Sequence, residues 1–218
     1  IICENWMQSN APVSVGFSGS NPVHIIAIGA SAGGGAALRT LFKNVPLQTG
    51  FSFVVLVHLQ PHEESYLELV LEGGTQLTVS RIQHGEQPKR NHIHVAPPGR
   101  WVSLEAGDFV LHPFIRKTMN FTINHFLFSL AQHPPLGCFA AVILCGQLND
   151  GAEGALHVQR AGGVVLVQDP ESAEFPSMPE SVLLLVELSK SCIVSVEAIP
   201  LALAVQLNRC EGLLQTRR

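Results

Sequence analysis

The chain has 218 residues, of which 46% are hydrophobic and 14% are charged, and its formal net charge is -4. A chain of this length and composition can bury a substantial single core and leaves little room for a second domain. The negative charge, with no basic cluster longer than Arg116-Lys117 or Arg217-Arg218, disfavours a protein that binds nucleic acid. No apolar run approaches the roughly 20 residues of a membrane span, so we expect a soluble protein without membrane insertion.

The two ends of the chain differ from its middle. Residues 1–21 contain Ser, Asn, Gly and Pro without sustained periodicity, and they predict a flexible leader. The Ile1-Ile2 pair is too short for the apolar region of a secretory signal. We expect one globular domain over residues 22–210, followed by a short tail over residues 211–218.

The cysteines are odd in number and irregularly spaced. They are Cys3, Cys138, Cys145, Cys192 and Cys210. This pattern fits reduced thiols in a cytoplasmic protein better than a disulfide framework.

From Val23 onward, apolar runs typical of buried strands alternate with segments of helical periodicity. The predicted strands comprise residues 23–28, 51–57, 138–145 and 163–168. The predicted helices comprise residues 34–44, 63–72, 122–133, 151–161 and 178–189. Three further short strands are predicted between the second and third helices, at residues 91–96, 101–104 and 109–112.

This alternation predicts an α/β fold with a doubly wound, mainly parallel sheet and helices on both faces. The three short strands surround two turn sequences, Pro97-Pro98-Gly99 and Glu105-Ala106-Gly107-Asp108. An antiparallel hairpin inserted near the sheet edge would explain them.

The first strand turns into the first helix through small residues that include one hydroxyl, that of Ser31. The segment Gly29-Ala30-Ser31-Ala32-Gly33 fits the G-x-S-x-G elbow, in which glycines allow a strained turn to lift a serine oxygen above the sheet. Ser31 is therefore the best nucleophile candidate in the chain. The same turn exposes backbone N–H groups at a helix N-terminus, which could instead bind a phosphate. On the turn alone, a Gly-rich nucleotide-binding loop is therefore as well supported as a nucleophile elbow.

The ends of two later strands favour the nucleophile. A dinucleotide-binding fold has an Asp or Glu at the end of its second strand to hold a ribose hydroxyl. Here that strand ends in His58, which can serve as a general base, and Asp150 follows the strand at 138–145. Because ligands of open α/β sheets bind beyond the carboxyl ends of the strands, Ser31, His58 and Asp150 are expected to converge as a hydrolytic triad.

Each member of this triad also has a structural interpretation. A Ser between glycines is most often a turn residue, a His at a strand end is most often a surface group, and Asn-Asp-Gly is most often a turn or helix cap. The order Ser, His, Asp along the chain differs from the Ser, Asp, His order of the α/β-hydrolase fold, which disfavours an ordinary lipase or esterase.

Five segments carry a more specific signal than any single Gly-rich loop. They are Ile28-Gly29-Ala30-Ser31-Ala32-Gly33-Gly34, Val57-His58-Leu59-Gln60-Pro61, Asn91-His92-Ile93-His94-Val95-Ala96-Pro97-Pro98, Gly146-Gln147-Leu148-Asn149-Asp150-Gly151 and Gln168-Asp169-Pro170-Glu171-Ser172-Ala173-Glu174-Phe175-Pro176-Ser177-Met178-Pro179. In this order they resemble the motifs of the chemotaxis protein-glutamate methylesterase catalytic domain, from about Val23 to Leu207. Their sequences are most similar to those of methylesterase domains at the N-terminus of methylesterase–methyltransferase fusion proteins.

The resemblance implies a triad of Ser31, His58 and Asp150, with the N–H groups of Ala32 and Gln147 as oxyanion donors. It implies hydrolysis of glutamate γ-methyl esters and deamidation of glutamine, without a cofactor, in the cytoplasmic helical region of a methyl-accepting chemoreceptor. It also implies cytoplasmic signal transduction linked to a phosphorelay, and allows a methyltransferase domain or protein as a partner. Such enzymes often carry an N-terminal receiver domain, for which 218 residues leave no room, so we expect regulation in trans or through a further part.

Three positions depart from the family pattern. Leu148 replaces a glycine next to the candidate aspartate, so the loop near the oxyanion site is expected to be reshaped. Asn124 stands where the family has an aspartate before the middle helix. After Met178-Pro179 the usual Thr-Gly pair is missing, so the last helix-to-strand connection should differ locally.

The ten histidines raise the question of a metal site. His92-x-His94 can place both rings on one face of a strand, but no Cys or acidic residue stands nearby at ligand spacing. We therefore expect no metal.

Two other functional classes stay open. A catalytically impaired docking module is plausible because Leu148 and Asn124 depart from the pattern. A nucleotide-binding domain is less favoured, and dialysis against NAD and ATP would discriminate it.

Overall fold

The computed structural model describes residues 23–57, 67–113 and 121–215. Within these residues a seven-stranded sheet has the order β3-β4-β2-β1-β7-β8-β9, and every neighbouring pair is parallel. Its strands are β1 His24–Ala30, β2 Phe51–Val57, β3 Thr78–Arg81, β4 His92–Val95, β7 Phe139–Ile143, β8 Val164–Gln168 and β9 Ile193–Val194.

Helices cover both faces of this sheet. They are α1 Gly34–Lys43, α2 Leu67–Glu72, α3 Thr122–Gln132, α4 Ala152–Arg160, α5 Ser177–Leu185 and α6 Ile199–Gln215, with 3-10 turns at Pro170–Ser172, Lys190–Cys192 and Val196–Ala198. On one face α1, α2 and α6 pack over Ile26 and Ile28 of β1, and on the other face α3, α4 and α5 pack over Ile25 and Ala27. Because the strand is buried on both faces, it is apolar along nearly its whole length.

The remaining two strands form a separate antiparallel hairpin, β5 Arg100–Glu105 and β6 Asp108–Pro113. Its two-residue turn uses positive φ at both Ala106 (51°) and Gly107 (93°), as a tight hairpin turn requires. The hairpin is attached to α3, where the Leu104 N–H donates to Ser129 Oγ at 2.9 Å.

The predicted fold class is confirmed: a doubly wound parallel sheet with helices on both faces and an antiparallel hairpin. One detail was wrong: residues 92–95 do not belong to the hairpin region but form a parallel strand of the main sheet, between β3 and β2. Three elements had no sequence prediction: β3, β9 and α6. β3 and β9 are short, so they carry too few residues for a period to be recognised.

The expectation of fully reduced thiols was wrong for two cysteines. Cys138, just before β7, forms a disulfide with Cys210 of α6, and their α-carbons lie 6.2 Å apart. The pairing spans 72 residues, and α6 is brought to β7 only by the tertiary fold.

Helix α6 continues to Gln215, so the tail boundary expected at 211 falls inside a helix. Among the described residues, no helix has both the length and the apolar character needed to cross a bilayer.

Candidate active site

Ser31 lies in the turn between β1 and α1, at the carboxyl edge of the sheet. Its N–H donates to the Cys145 carbonyl at 3.1 Å, and its carbonyl accepts from the Gly34 N–H at 2.9 Å. Gly33 has a φ of +74°, and a Cβ there would lie 3.0 Å from Glu174 Oε2 and only 3.3 Å from Cys145 Sγ. The turn therefore needs a glycine to keep its shape, as the elbow motif predicts.

The loop that follows β7 runs directly beside the serine. A Cβ on Gly146 would lie 2.8 Å from Ser31 Cβ and would also collide with the Met178 side chain, so only glycine fits. The Gly146 N–H donates to the Phe175 carbonyl at 2.9 Å, and the Gly146 carbonyl accepts from the Met178 N–H at 3.1 Å. These hydrogen bonds fix the backbone that leads into Gln147 next to the turn that contains Ser31.

Asp150 lies at the end of the same loop and is only 1% exposed. Its two carboxylate oxygens accept from the N–H groups of Ile123, at 2.9 Å, and Asn124, at 2.8 Å. These are the first orphan donors of α3, so the aspartate caps that helix. The helix that it caps is therefore not α4, which follows it in sequence, but α3, which precedes it.

Asn124, at the start of α3, in turn binds the N-terminus of α4. It is buried, and its Oδ1 accepts from the N–H groups of Gly151, at 3.1 Å, and Gly154, at 2.7 Å. Asp150 and Asn124 therefore cap the N-termini of α3 and α4 reciprocally. This departure from the family pattern serves the backbone of the neighbouring helix.

Leu148 is the second departure with a visible consequence. It has a positive φ of 65° and is 68% exposed. A residue with a Cβ pays an energetic cost in this left-handed conformation, which glycine avoids. Its carbonyl accepts weakly from Ser181 Oγ of α5 at 3.5 Å, which connects the loop to α5.

Two of the three predicted triad residues can be located. Ser31 and Asp150 both lie at the carboxyl edge, at the ends of neighbouring strands β1 and β7. His58 lies outside the described residues; it directly follows Val57, which pairs with Ala30 in the parallel register of β1 and β2. The backbone leading into His58 is thus adjacent to β1, the strand that ends just before Ser31.

The predicted oxyanion donors belong to the two backbone segments that meet here. Ala32 follows the nucleophile in the turn, and Gln147 follows Gly146 on an exposed part of the loop. In the described ranges, neither N–H donates to a backbone carbonyl.

The sequence analysis did not predict that two polar residues, Gln168 and Glu174, lie at the site. The buried Gln168 accepts from the Cys145 N–H at 2.8 Å through Oε1 and holds the loop to β8. Glu174 lies against Gly33 of the turn. Both were present in the fifth resembling segment, but nothing local to that segment indicates which of its side chains reaches the serine turn.

Cys145 is a buried thiol beneath the site. Burial raises its pKa, and the nearby Glu174 carboxylate raises it further. The thiol therefore stays protonated at neutral pH, which disfavours it as a competing nucleophile.

No group of three metal-ligating side chains occurs in the part of the chain that the structure describes. The His92 and His94 rings do lie on one face of β4, with centroids 4.3 Å apart. His94 Nε2 accepts from the Lys89 N–H at 3.0 Å, and His92 Nε2 is bonded to Ser80 Oγ at 2.7 Å. Both Nε2 atoms are therefore engaged within the protein.

Comparisons with known proteins agree with this geometry. A family model described as CheB methylesterase matches residues 26–203. A putative protein-glutamate methylesterase/protein-glutamine glutaminase of Leptospira interrogans is 31% identical over 158 residues, which is 72% of this chain and 81% of the relative. The protein-glutamate methylesterase/protein-glutamine glutaminase of Thermotoga maritima is 30% identical over 73% of this chain, which spans only 47% of that relative.

A solved structure is similar over nearly the whole described fold. The crystal structure of the Thermotoga maritima CheB methylesterase catalytic domain aligns with a TM-score of 0.74 and 27% sequence identity. The alignment covers 86% of this chain and 100% of that chain.

Proposed function

The chain belongs to the CheB methylesterase family, and on that premise we propose that it hydrolyses glutamate γ-methyl esters and deamidates glutamine side chains in a chemoreceptor. The observation that carries this proposal is the position of Ser31. It stands in a glycine-rich turn at the carboxyl edge, with the Gly146 backbone against its Cβ and Asp150 at the end of the same loop. These contacts support Ser31 as the nucleophile, beside a loop whose backbone N–H groups can serve as hydrogen-bond donors.

In this mechanism Ser31 Oγ attacks the ester carbonyl while His58 takes its proton. The tetrahedral intermediate collapses to an acyl-serine, and His58 returns the proton to the departing methanol, or to ammonia when the substrate is glutamine. A water molecule then attacks the acyl-serine with His58 again as base, which frees Ser31 and a glutamate γ-carboxylate. Asp150 holds the imidazole in one tautomer and offsets its positive charge.

The oxyanion of each tetrahedral intermediate needs hydrogen-bond donors, and we assign this role to the N–H groups of Ala32 and Gln147. Main-chain donors tolerate side-chain replacement, so Gln147 can serve whatever its side chain does. The fixed bonds of Gly146 to Phe175 and Met178 support the assignment, because preorganised donors need no rearrangement during the reaction.

The partner follows from the reaction. The substrate is a methyl-accepting chemoreceptor, whose modified region is reached in the cytoplasm, and a methyltransferase domain or protein supplies the methyl esters. We assign catalysis to the domain over residues 22–210. No nucleic acid and no cofactor enter the mechanism.

The direct test is methanol release from a methylated receptor by the wild-type protein and by Ser31→Ala. We expect a loss of about 10⁵- to 10⁶-fold with an unchanged melting temperature, since loss of the nucleophile disables the whole triad. A serine-directed fluorophosphonate should label the wild type at Ser31 only. Ser189→Ala, an exposed serine after α5, is the matched control.

Wild-type turnover by a folded Ser31→Ala variant would remove the nucleophile assignment. Receptor binding by a wild-type protein that releases no methanol would instead support the docking-module alternative.

A further inference from the structure

The proposed reaction changes the charge of the group bound at the serine. The substrate is a neutral ester or amide, whereas the product is a glutamate γ-carboxylate that is ionised at neutral pH. A negative charge fixed near the site would leave substrate binding almost unchanged and weaken product binding.

Such a charge stands beside the nucleophile turn. Glu174 Oε2 lies 3.0 Å from the position that a Cβ on Gly33 would occupy, and Gly33 is two residues after Ser31. The neighbouring Phe175 carbonyl accepts from the Gly146 N–H at 2.9 Å, which fixes the backbone next to Glu174 against the loop that touches Ser31.

The charge of Glu174 acts on a neighbouring group of the site, the Cys145 thiol. Its carboxylate adds to the rise of the Cys145 pKa, whose main cause is burial. The carbonyl of that cysteine accepts the Ser31 N–H at 3.1 Å. Glu174 also lies near the N-terminus of α1, whose first turn contains no acidic residue. A carboxylate is favoured there by the helix dipole, which helps to keep it in place.

We propose that Glu174 is a specificity-determining residue that repels the product carboxylate and so weakens binding of the demethylated receptor at the site. This role rests on the proposed methylesterase function. Two residues span at most about 7 Å of backbone, so a product carboxylate at Ser31 would lie within roughly 10 Å of Glu174. At roughly 10 Å, two like charges change a binding constant by about twofold in bulk water and by about sixteenfold at an effective dielectric constant of 20, so we expect an effect of about threefold to tenfold at low salt for an exposed carboxylate.

The experiment compares wild type with Glu174→Gln at low ionic strength. Methanol release is measured from a methylated receptor fragment, with the same fragment carrying unmodified glutamates as inhibitor. We expect Glu174→Gln to lower the inhibition constant of the unmodified fragment about threefold to tenfold, with the KM of the methylated fragment changed less than twofold. The difference should shrink at 0.5 M salt, where the Debye length falls to about 4 Å.

Glu187→Gln is the matched control because it removes the same charge from another exposed carboxylate. The Glu187 carbonyl accepts from Gln159 in the last turn of α4, at the opposite edge of the sheet from the serine. An unchanged inhibition constant in Glu174→Gln, or an equal change in Glu187→Gln, would overturn the proposal.

A separate binding experiment distinguishes failure of this proposal from failure of the proposed methylesterase function. Ser31→Ala, with and without Glu174→Gln, is titrated with a labelled receptor fragment in its glutamate and glutamine forms. We expect only the glutamate form to bind more tightly when Glu174 is neutralised. Equal gains for both forms, or none, would refute the charge effect. Absence of methanol release from the wild type would instead refute the methylesterase function.

Discussion

Asp150 and His94 are both almost fully buried, with exposures of 1% and 0%, yet their surroundings differ. The two Asp150 oxygens each receive a backbone N–H from the first turn of α3. His94 Nε2 accepts from the Lys89 N–H, whereas no hydrogen-bond partner for its Nδ1 occurs among the described residues. The nearest carboxylate oxygen, Glu86 Oε1, lies 3.8 Å from Nδ1.

The difference shows two ways to bury a titratable side chain. At the carboxyl edge, a helix N-terminus supplies donors that a carboxylate can accept from. Beside the hairpin, burial and, second to it, the neighbouring His92 lower the pKa of His94 to about 4, so the imidazole stays neutral at physiological pH. The first arrangement fixes the carboxylate that we propose for the triad, and the second packs a neutral imidazole ring against Phe109.

After loss of the nucleophile itself, the largest effect is expected from Asp150→Asn, which tests whether the carboxylate has a role beyond capping. We expect turnover to fall by roughly three to four orders of magnitude, because an amide cannot stabilise the imidazolium of the triad. The amide also offers one acceptor oxygen to two N–H groups, which should cost about 1–3 kcal/mol of stability. Methanol release is measured well below the melting temperature, which is followed by circular dichroism.

Asn124→Ala is the matched control for this experiment. It removes the acceptor of the Gly151 and Gly154 N–H groups and should cost a similar stability while keeping the Asp150 carboxylate. We expect its turnover to fall less than tenfold. Equal losses of turnover in the two variants would reduce Asp150 to a cap and leave Ser31 and His58 as a dyad.

The next effect is a pH dependence of stability that originates at His94. Its folded pKa of about 4 is lower than the usual value of 6.5, so below pH 6.5 the unfolded chain binds a proton that the folded chain does not. Stability is therefore lost as the pH falls from 6.5 towards 4. We expect a loss of about 2 kcal/mol between pH 7 and pH 5, measured by urea unfolding.

His94→Gln should remove the largest single part of that pH dependence, since the amide oxygen can still accept the Lys89 N–H without titrating. Burial also lowers the pKa values of His92 and His125, which contribute in the same pH range. The control is His157→Gln at an exposed position of α4. The lowered pKa of Glu86 also costs stability in acid, but at a lower pH, below its usual value of 4.5. A wild-type slope in His94→Gln would contradict the assignment.

The smallest effect concerns Leu148, the strained residue between the nucleophile turn and Asp150. We expect Leu148→Gly to raise stability by about 0.5–1 kcal/mol, because relief of the positive φ outweighs the greater backbone entropy of glycine. The melting temperature should rise by about 1–4 °C. Ala106→Gly, at the hairpin turn with a φ of 51°, should stabilise similarly without altering methanol release. A destabilised Leu148→Gly would show that the leucine packs favourably after all.

The sequence by itself determined the elements that local pattern can specify. The apolar run from 23 to 30, the small residues around Ser31 and the periodic segment after it fix a strand, a tight turn and a helix within about twenty residues. The β2 boundaries were predicted at 51–57 as observed, and Asp150 was expected just after β7, because long buried strands with clear turn residues leave few alternatives.

Only the tertiary structure decided which distant groups meet. The Cys138–Cys210 disulfide, the reciprocal caps of Asp150 and Asn124, and the placement of β4 inside the main sheet all join segments far apart in sequence. The same holds for Glu174, which is 141 residues after the Gly33 that it lies against. Period and turn chemistry act over a few residues, whereas these contacts depend on strand order and helix packing, which no local pattern encodes.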